Sequence, residues 1–265
     1  MPIWAYEISP LQLALIMAAS IEVVSLVGLL LARRFLLPHL HFHDGVNDAI
    51  SGTVQAIGVF YGITVGLIAV GVWNTNSNAA DLVSKEAASI GALYRDVSGY
   101  PEPARGKLQS GLREYTHAVI EQVWPEQRKG RILDVGTRIL NNDFQSYLFK
   151  FEPTTPGQAA LHDETLRAFN ILIVSRRLRI DAVGSGLSQV MWMVIWVGAA
   201  ISIGVAYLYK IEDPRIHFIL VALMAGFLAM VIFMIVINDR PLIGKHGIPP
   251  ASYQLVLDKL IELPR

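Results

Sequence analysis

The 265-residue sequence contains no cysteine. That excludes a disulfide scaffold, thiol catalysis and any cysteine-ligated zinc or iron–sulfur site. It also lacks a charge surplus: 22 Lys plus Arg balance 22 Asp plus Glu, so no basic excess exists to neutralise nucleic-acid phosphates. Charge of either sign is scarce, at 17% of residues, where a soluble domain carries about 25%. Enzyme signatures are missing too. There is no phosphate-binding Gly-x-x-x-x-Gly-Lys loop, no Gly-x-Ser-x-Gly, no His-Glu-x-x-His and no dinucleotide fingerprint. These absences argue against an enzyme, a resident cofactor and a nucleic-acid partner.

What the sequence has is apolar residues, 53% of the chain, too many for disorder. They gather in runs. No Asp, Glu, Lys or Arg falls between Asp48 and Asp81, between Asp181 and Lys210, or between Arg215 and Asp239. A fourth run, Leu11–Leu31, is interrupted only by Glu22. Each is long enough to cross a hydrocarbon core of about 30 Å at 1.5 Å per residue. Trp4, Trp73, Trp192, Tyr207 and Tyr209 stand near the run ends, as interfacial aromatics do. The first run lacks the basic leader of a cleaved signal peptide, so four retained transmembrane helices are expected.

The fold class is therefore an all-α membrane protein. Residues 1–75 hold the first two spans, 76–184 a helical extramembrane region, 185–240 the last two spans, and 241–265 a turn and a short amphipathic helix. Asn74-Thr75-Asn76-Ser77-Asn78 contains neither Pro nor Gly, so the second helix is expected to run on past the bilayer. Ser98-Gly99-Tyr100-Pro101 stops it, and a new helix is expected from Pro101. A third is expected over 132–149. Thr155 and Pro156 suit the cap and first turn of a long helix. The 76–184 region holds 14 of the 22 basic residues, and Arg176, Arg177 and Arg179 crowd the third span. The positive-inside tendency then puts this region and both termini in the cytoplasm of a bacterial inner membrane.

Several residues invite a functional reading beside a plainer one. Glu22 lies mid-span, where an ionisable group normally faces a bundle interior or a wet path. The plainer reading packs it against Gln55 or Thr64. Gly58, Gly62 and Gly66 form a small-x-x-x-small stripe that lets backbones approach. Val59, Ile63 and Leu67 run beside it, either as ordinary packing or as the apolar constriction of a shared axial pore. Arg167, Arg176, Arg177 and Arg179 are candidates for anion or lipid-headgroup contact, or simply mark the membrane boundary. His39, His41 and His43 are candidate metal ligands or pH sensors, or a solvated loop.

A set of short motifs carries a family resemblance. Asn47-Asp48 opens the second span, and Lys85-Glu86-Ala87 leads to Leu93-Tyr94-Arg95. Tyr100-Pro101-Glu102-Pro103, Tyr115 and Trp124-Pro125 follow, then Asn238-Asp239-Arg240-Pro241-Leu242-Ile243-Gly244 with Pro249. In this order they resemble a bacterial family of unknown function labelled bestrophin-like, with Leu242 where that family has Phe. More distantly the layout is similar to the bestrophins, pentameric anion channels with a helical cytoplasmic region between their second and third spans. That likeness puts Val59, Ile63 and Leu67 on the apolar neck of a homo-oligomeric channel, a pentamer by analogy. Its partners would be lipid, inorganic ions and copies of itself. The Arg-Trp-Trp that follows the second span in bestrophins is missing, since Thr75, Asn76 and Ser77 stand there, and no acidic calcium clasp is seen. The rival expectation is a non-conducting membrane protein whose helical region docks a partner or senses envelope state.

Overall fold

A computed structural model describes residues 6–40 and 45–261. Among them every regular element is helical. Four helices are long and apolar enough to span a bilayer: α1 (Pro10–Leu31), α2 (Val46–Val97), α8 (Gln189–Ala206) and α9 (Pro214–Asp239). Between α2 and α8 come α3 (Ala104–Ala118), α4 (Trp124–Arg128), α5 (Val135–Arg138), α6 (Gln145–Phe149) and α7 (Pro156–Val183); α10 (Ala251–Val256) closes the order. Two compact units result: Met1–Thr75 with Gly186–Asp239, and Asn76–Ser185 with Arg240–Arg265. Trp4, His41 and His43 lie outside the described residues.

The first unit starts with a reciprocal cap. Ser9 accepts from the Gln12 amide while the Gln12 side chain accepts from the Ser9 amide, and Pro10 opens the helix. α1 packs chiefly on α9. Leu13, Met17, Ile195, Leu228, Ile232 and Ile235 make a buried cluster shared with Val65 and Val72 of α2. Gly28 gives room for Tyr207, whose hydroxyl donates to the Ser25 carbonyl at 2.7 Å. At the other end of the unit Asp239, almost fully buried, accepts from the Leu187 amide at 2.6 Å and from Tyr6 at 3.2 Å.

The second unit packs its helices around Ile90, Leu93, Leu108, Leu112, Tyr115 and Leu140. α2 is unbroken for 52 residues, about 78 Å at 1.5 Å per residue, because nothing in Asn74–Asn78 interrupts its hydrogen bonds. The next helix begins at Ala104 rather than Pro101. Two prolines in three residues withhold amide donors there, and the Glu102 carboxylate accepts from the Gly106 amide at 3.1 Å. α5 likewise begins at Val135 rather than residue 132, after a turn at Gly130 whose φ of 75° favours glycine. α3 passes into α4, and α5 into α6, through widened π turns at Val119–Val123 and Ile139–Phe144. Thr155 caps α7 by accepting from the Gln158 amide at 3.2 Å.

Candidate functional site

α2 presents two faces to different surroundings within the first unit. At 100° per residue, Tyr61, Val65, Ile68 and Val72 share one face. Val65 and Val72 are buried there against α8 and its neighbours. The Tyr61 hydroxyl donates to the Ile195 carbonyl at 2.9 Å, and its ring fills the space that a side chain at Gly198 would need.

The opposite face is largely bare among the described residues. Val59, Ile63 and Leu67 are 59%, 58% and 69% exposed. A Cβ added at Gly58, Gly62 or Gly66 would meet nothing within 4 Å. The structure thus brings the six residues singled out in the sequence onto one bare surface. Val70, also exposed, continues that surface seven residues after Ile63. The four-residue spacing hid it, although one further helical turn points to it. Between Leu67 and α8 lies an open apolar hollow of about 430 Å³, lined also by Ile68, Val72, Leu187 and Asp239.

Glu22 is half-buried, and its Oε2 has no hydrogen-bond partner. No hydrogen bond joins it to Gln55 or Thr64 among the described residues. A Cβ at Gly226 of α9 would come within 2.9 Å of Glu22 Oε1, so the acid sits where α1 meets a residue without a side chain. Gln55 is exposed, and Thr64 donates within its own helix to the Phe60 carbonyl. A glycine partner leaves the carboxyl space, and the absence of a donor leaves one oxygen unmet.

The four arginines divide. Arg167 is exposed beside Glu164 at 3.4 Å. Arg177 pairs with Asp181 at 3.3 Å, and Arg176 donates to the Thr137 hydroxyl at 2.7 Å. Arg176 and Arg177 line an open cleft of about 570 Å³ with Ile132, Asp134 and Thr137. Arg179 stands apart, 1% exposed, with its Nε 2.6 Å from the fully buried Glu86 carboxylate. It therefore contacts neither solvent nor a headgroup in this chain. His39 holds the Phe35 carbonyl through Nδ1 at 2.8 Å, and no group of three metal-ligating side chains occurs among the described residues.

Glu86 and Arg179 form the centre of a buried polar hub. The Tyr115 hydroxyl donates to Glu86 Oε1 at 2.5 Å, and Arg179 Nη1 donates to the Gln127 side-chain amide oxygen, Oε1. The guanidinium lies 5.5 Å from the Trp124 ring, which meets Tyr253 edge-on at 5.4 Å. Trp124 Nε1 donates to the Ile248 carbonyl at 3.1 Å. One acid on α2 thereby ties α3, α4, α7 and α10 together. Burial, then the charge of Glu86, push the Tyr115 and Tyr253 phenols well above their usual range. Burial works most strongly against the charge on Arg179, but Glu86 together with Tyr253 and Tyr115 outweighs it and raises that group's pKa. The pairing joins residues far apart in sequence and was not anticipated. A signal existed: Val83, Ile90, Leu93 and Val97 define a buried face of α2, and Glu86 is the charged residue on it.

The comparisons with known proteins agree with this architecture. The Bestrophin-like domain model matches residues 19–253. A crystal structure of a single-substitution variant of the bacterial bestrophin homologue from Klebsiella pneumoniae superposes with a TM-score of 0.66 at 10% identity, covering 96% of this chain and 100% of that one. A second variant of that homologue gives 0.62 at 12% identity, covering 94% and 98%. A structure described as a membrane protein gives 0.62 at 11% identity, covering 96% and 100%. No curated protein matches the sequence. The chain belongs to the Bestrophin-like family and is a membrane protein with this fold.

Proposed function

We propose that this Bestrophin-like protein is a homo-oligomeric ion channel in which α2 of each subunit lines a shared axial pore. Val59, Ile63 and Leu67 form its apolar neck, with Gly58, Gly62 and Gly66 letting neighbouring subunits close around it. The observation that carries the reading is the bare face of α2, opposite the face packed on α8. Only between 17% and 39% of the apolar window of each span is buried within one chain, which leaves ample surface for lipid and for copies. A closed ring of identical subunits places one such face from each around the axis, and a ring of apolar side chains gates by dewetting.

Arg176 and Arg177, which share their cleft with Asp134 and Asp181, are the groups that would favour anions, and their position beside the third span supports a cytoplasmic helical unit and cytoplasmic termini in a bacterial inner membrane. Recording purified protein in planar bilayers tests the channel. Wild type should conduct, Ile63→Ala and Leu67→Ala should raise conductance or open probability several-fold, and imaging should show rotational symmetry with α2 at the axis. Silence in all three proteins, or a non-cyclic dimer with a lipid-filled seam, makes it instead a non-conducting protein whose helical unit docks a partner.

A further inference from the structure

The turn after α9 holds basic side chains with buried nitrogens that lack partners. Arg240 and His246 lie on it, and Arg128 ends α4. Nε of Arg128, Nε of Arg240 and Nε2 of His246 are each buried without a hydrogen-bond partner. The frame around them is tightly bonded. Ile243 donates to the Arg240 carbonyl at 3.2 Å and Ile248 to the Pro241 carbonyl at 2.8 Å. Gly244, with a φ of 77°, donates to the Arg128 carbonyl at 2.8 Å, and Trp124 fastens Ile248 from α4. The three side chains therefore start from one small, rigid locus.

No carboxylate answers them. Among the described residues neither Arg128 nor Arg240 forms an ion pair, and the nearby Glu126 is taken by Lys129, at 2.8 Å, and Arg131. Buried donors of this kind are nearly always paired in folded proteins. We propose that this turn and the end of α4 form a binding site for a phosphate-bearing anion, held by Arg128, Arg240 and His246. Planar guanidinium groups match phosphate oxygens in paired hydrogen bonds, which a spherical halide does not reward. Arg240 directly follows the last residue of α9, so its place in the chain is one turn from a bilayer surface, where acidic headgroups concentrate. The site is independent of whether the protein conducts.

The test uses the full chain in detergent micelles with two ligand arms. One titrates sodium phosphate against sodium chloride at equal ionic strength; the other adds phosphatidylglycerol against diacylglycerol. At saturation the phosphate-bearing ligand should raise the melting temperature by about 2–4 °C. Arg240→Gln and Arg128→Gln, each checked for a monodisperse helical protein, should bind about tenfold more weakly. Arg240→Lys keeps the charge but not the paired hydrogen bonds, so its affinity should fall between wild type and Arg240→Gln, and the exposed control Lys150→Gln should match wild type. A shift in the lipid arm alone assigns the site to a headgroup, and a shift with free phosphate assigns it to a soluble ligand. Should one variant fail to fold, the other and His246→Gln report on the same locus. The proposal is overturned if neither arm exceeds its control in wild type, or if the folded glutamine variants bind as tightly.

Discussion

The two units of this chain solve opposite problems. The helical unit encloses an ion pair: Glu86 and Arg179 are 0% and 1% exposed and meet each other, Tyr115 and Gln127 before any solvent. The membrane unit leaves apolar residues outside, with Val59, Ile63 and Leu67 on a largely bare helix face among the described residues. A charge is tolerated in a protein interior when its partners are placed beforehand, whereas an apolar face is left bare only where lipid or another subunit covers it. One unit is thus finished within the chain, and the other is finished by its surroundings. α2 belongs to both, and its sequence changes character accordingly from an apolar run to one carrying Asp81, Lys85 and Glu86.

Breaking the hub gives the largest effect. Glu86→Leu strands the Arg179 guanidinium without a counter-charge, and the helical unit should lose about 3–5 kcal/mol, read as faster hydrogen exchange along α7 or a lower urea midpoint. Glu86→Leu with Arg179→Met should recover most of that loss, because two apolar residues need no partner. If the double variant is as unstable as the single one, the hub matters through packing and not through charge. Tyr115→Phe should cost less, about 1.5–3 kcal/mol, the range for a hydrogen bond to a charged group. It also predicts a pH dependence. The folded phenol is raised above its unfolded value, so its contribution is intact below about pH 10, where the unfolded tyrosine ionises, and falls as pH rises from there towards the folded pKa. Wild type should therefore lose stability through this alkaline window more steeply than Tyr115→Phe. Equal slopes would mean that Tyr115 does not hold its proton against Glu86.

Much of the frame was legible in the sequence. Three uncharged runs and a fourth broken only by Glu22, the Thr155-Pro156 helix start and the unbroken Asn74–Asn78 stretch are local signals, and each corresponds to a feature observed. The helix starts at Ala104 and Val135 lie three residues beyond the expected positions, because Pro and Gly announce a break more clearly than its length. The candidate sites divide by range. The glycine stripe and its apolar neighbour are periodicities within one helix, so their common face could be read directly. The Glu86–Arg179 pair and the contact of Glu22 with Gly226 join different helices, and no spacing rule reports which helices meet. Arg179 sits three residues from Arg176 in sequence and only about 60° round the helix, yet it is enclosed by Glu86 and Gln127 of other helices while Arg176 lines a cleft.

The finest test of the contrast uses two glycines within the membrane unit. Gly198 faces Tyr61 of α2 so closely that a Cβ would overlap the ring. Gly198→Ala should therefore force the tyrosine off the Ile195 carbonyl and destabilise the folded chain by about 1–3 kcal/mol, as overpacking does. Gly62, on the other side of the same helix, has open space. Gly62→Ala should leave the single chain intact and stabilise α2 by at most about 1 kcal/mol through helix propensity. Its effect should appear in assembly instead, because a methyl group in a close helix contact separates the backbones that glycine lets approach. Light scattering of the solubilised particle, beside its thermal unfolding, separates these outcomes. A smaller or heterogeneous particle with normal helix content places Gly62 between subunits. An unchanged mass with unchanged unfolding places it against lipid, and the bare face of α2 then lines nothing.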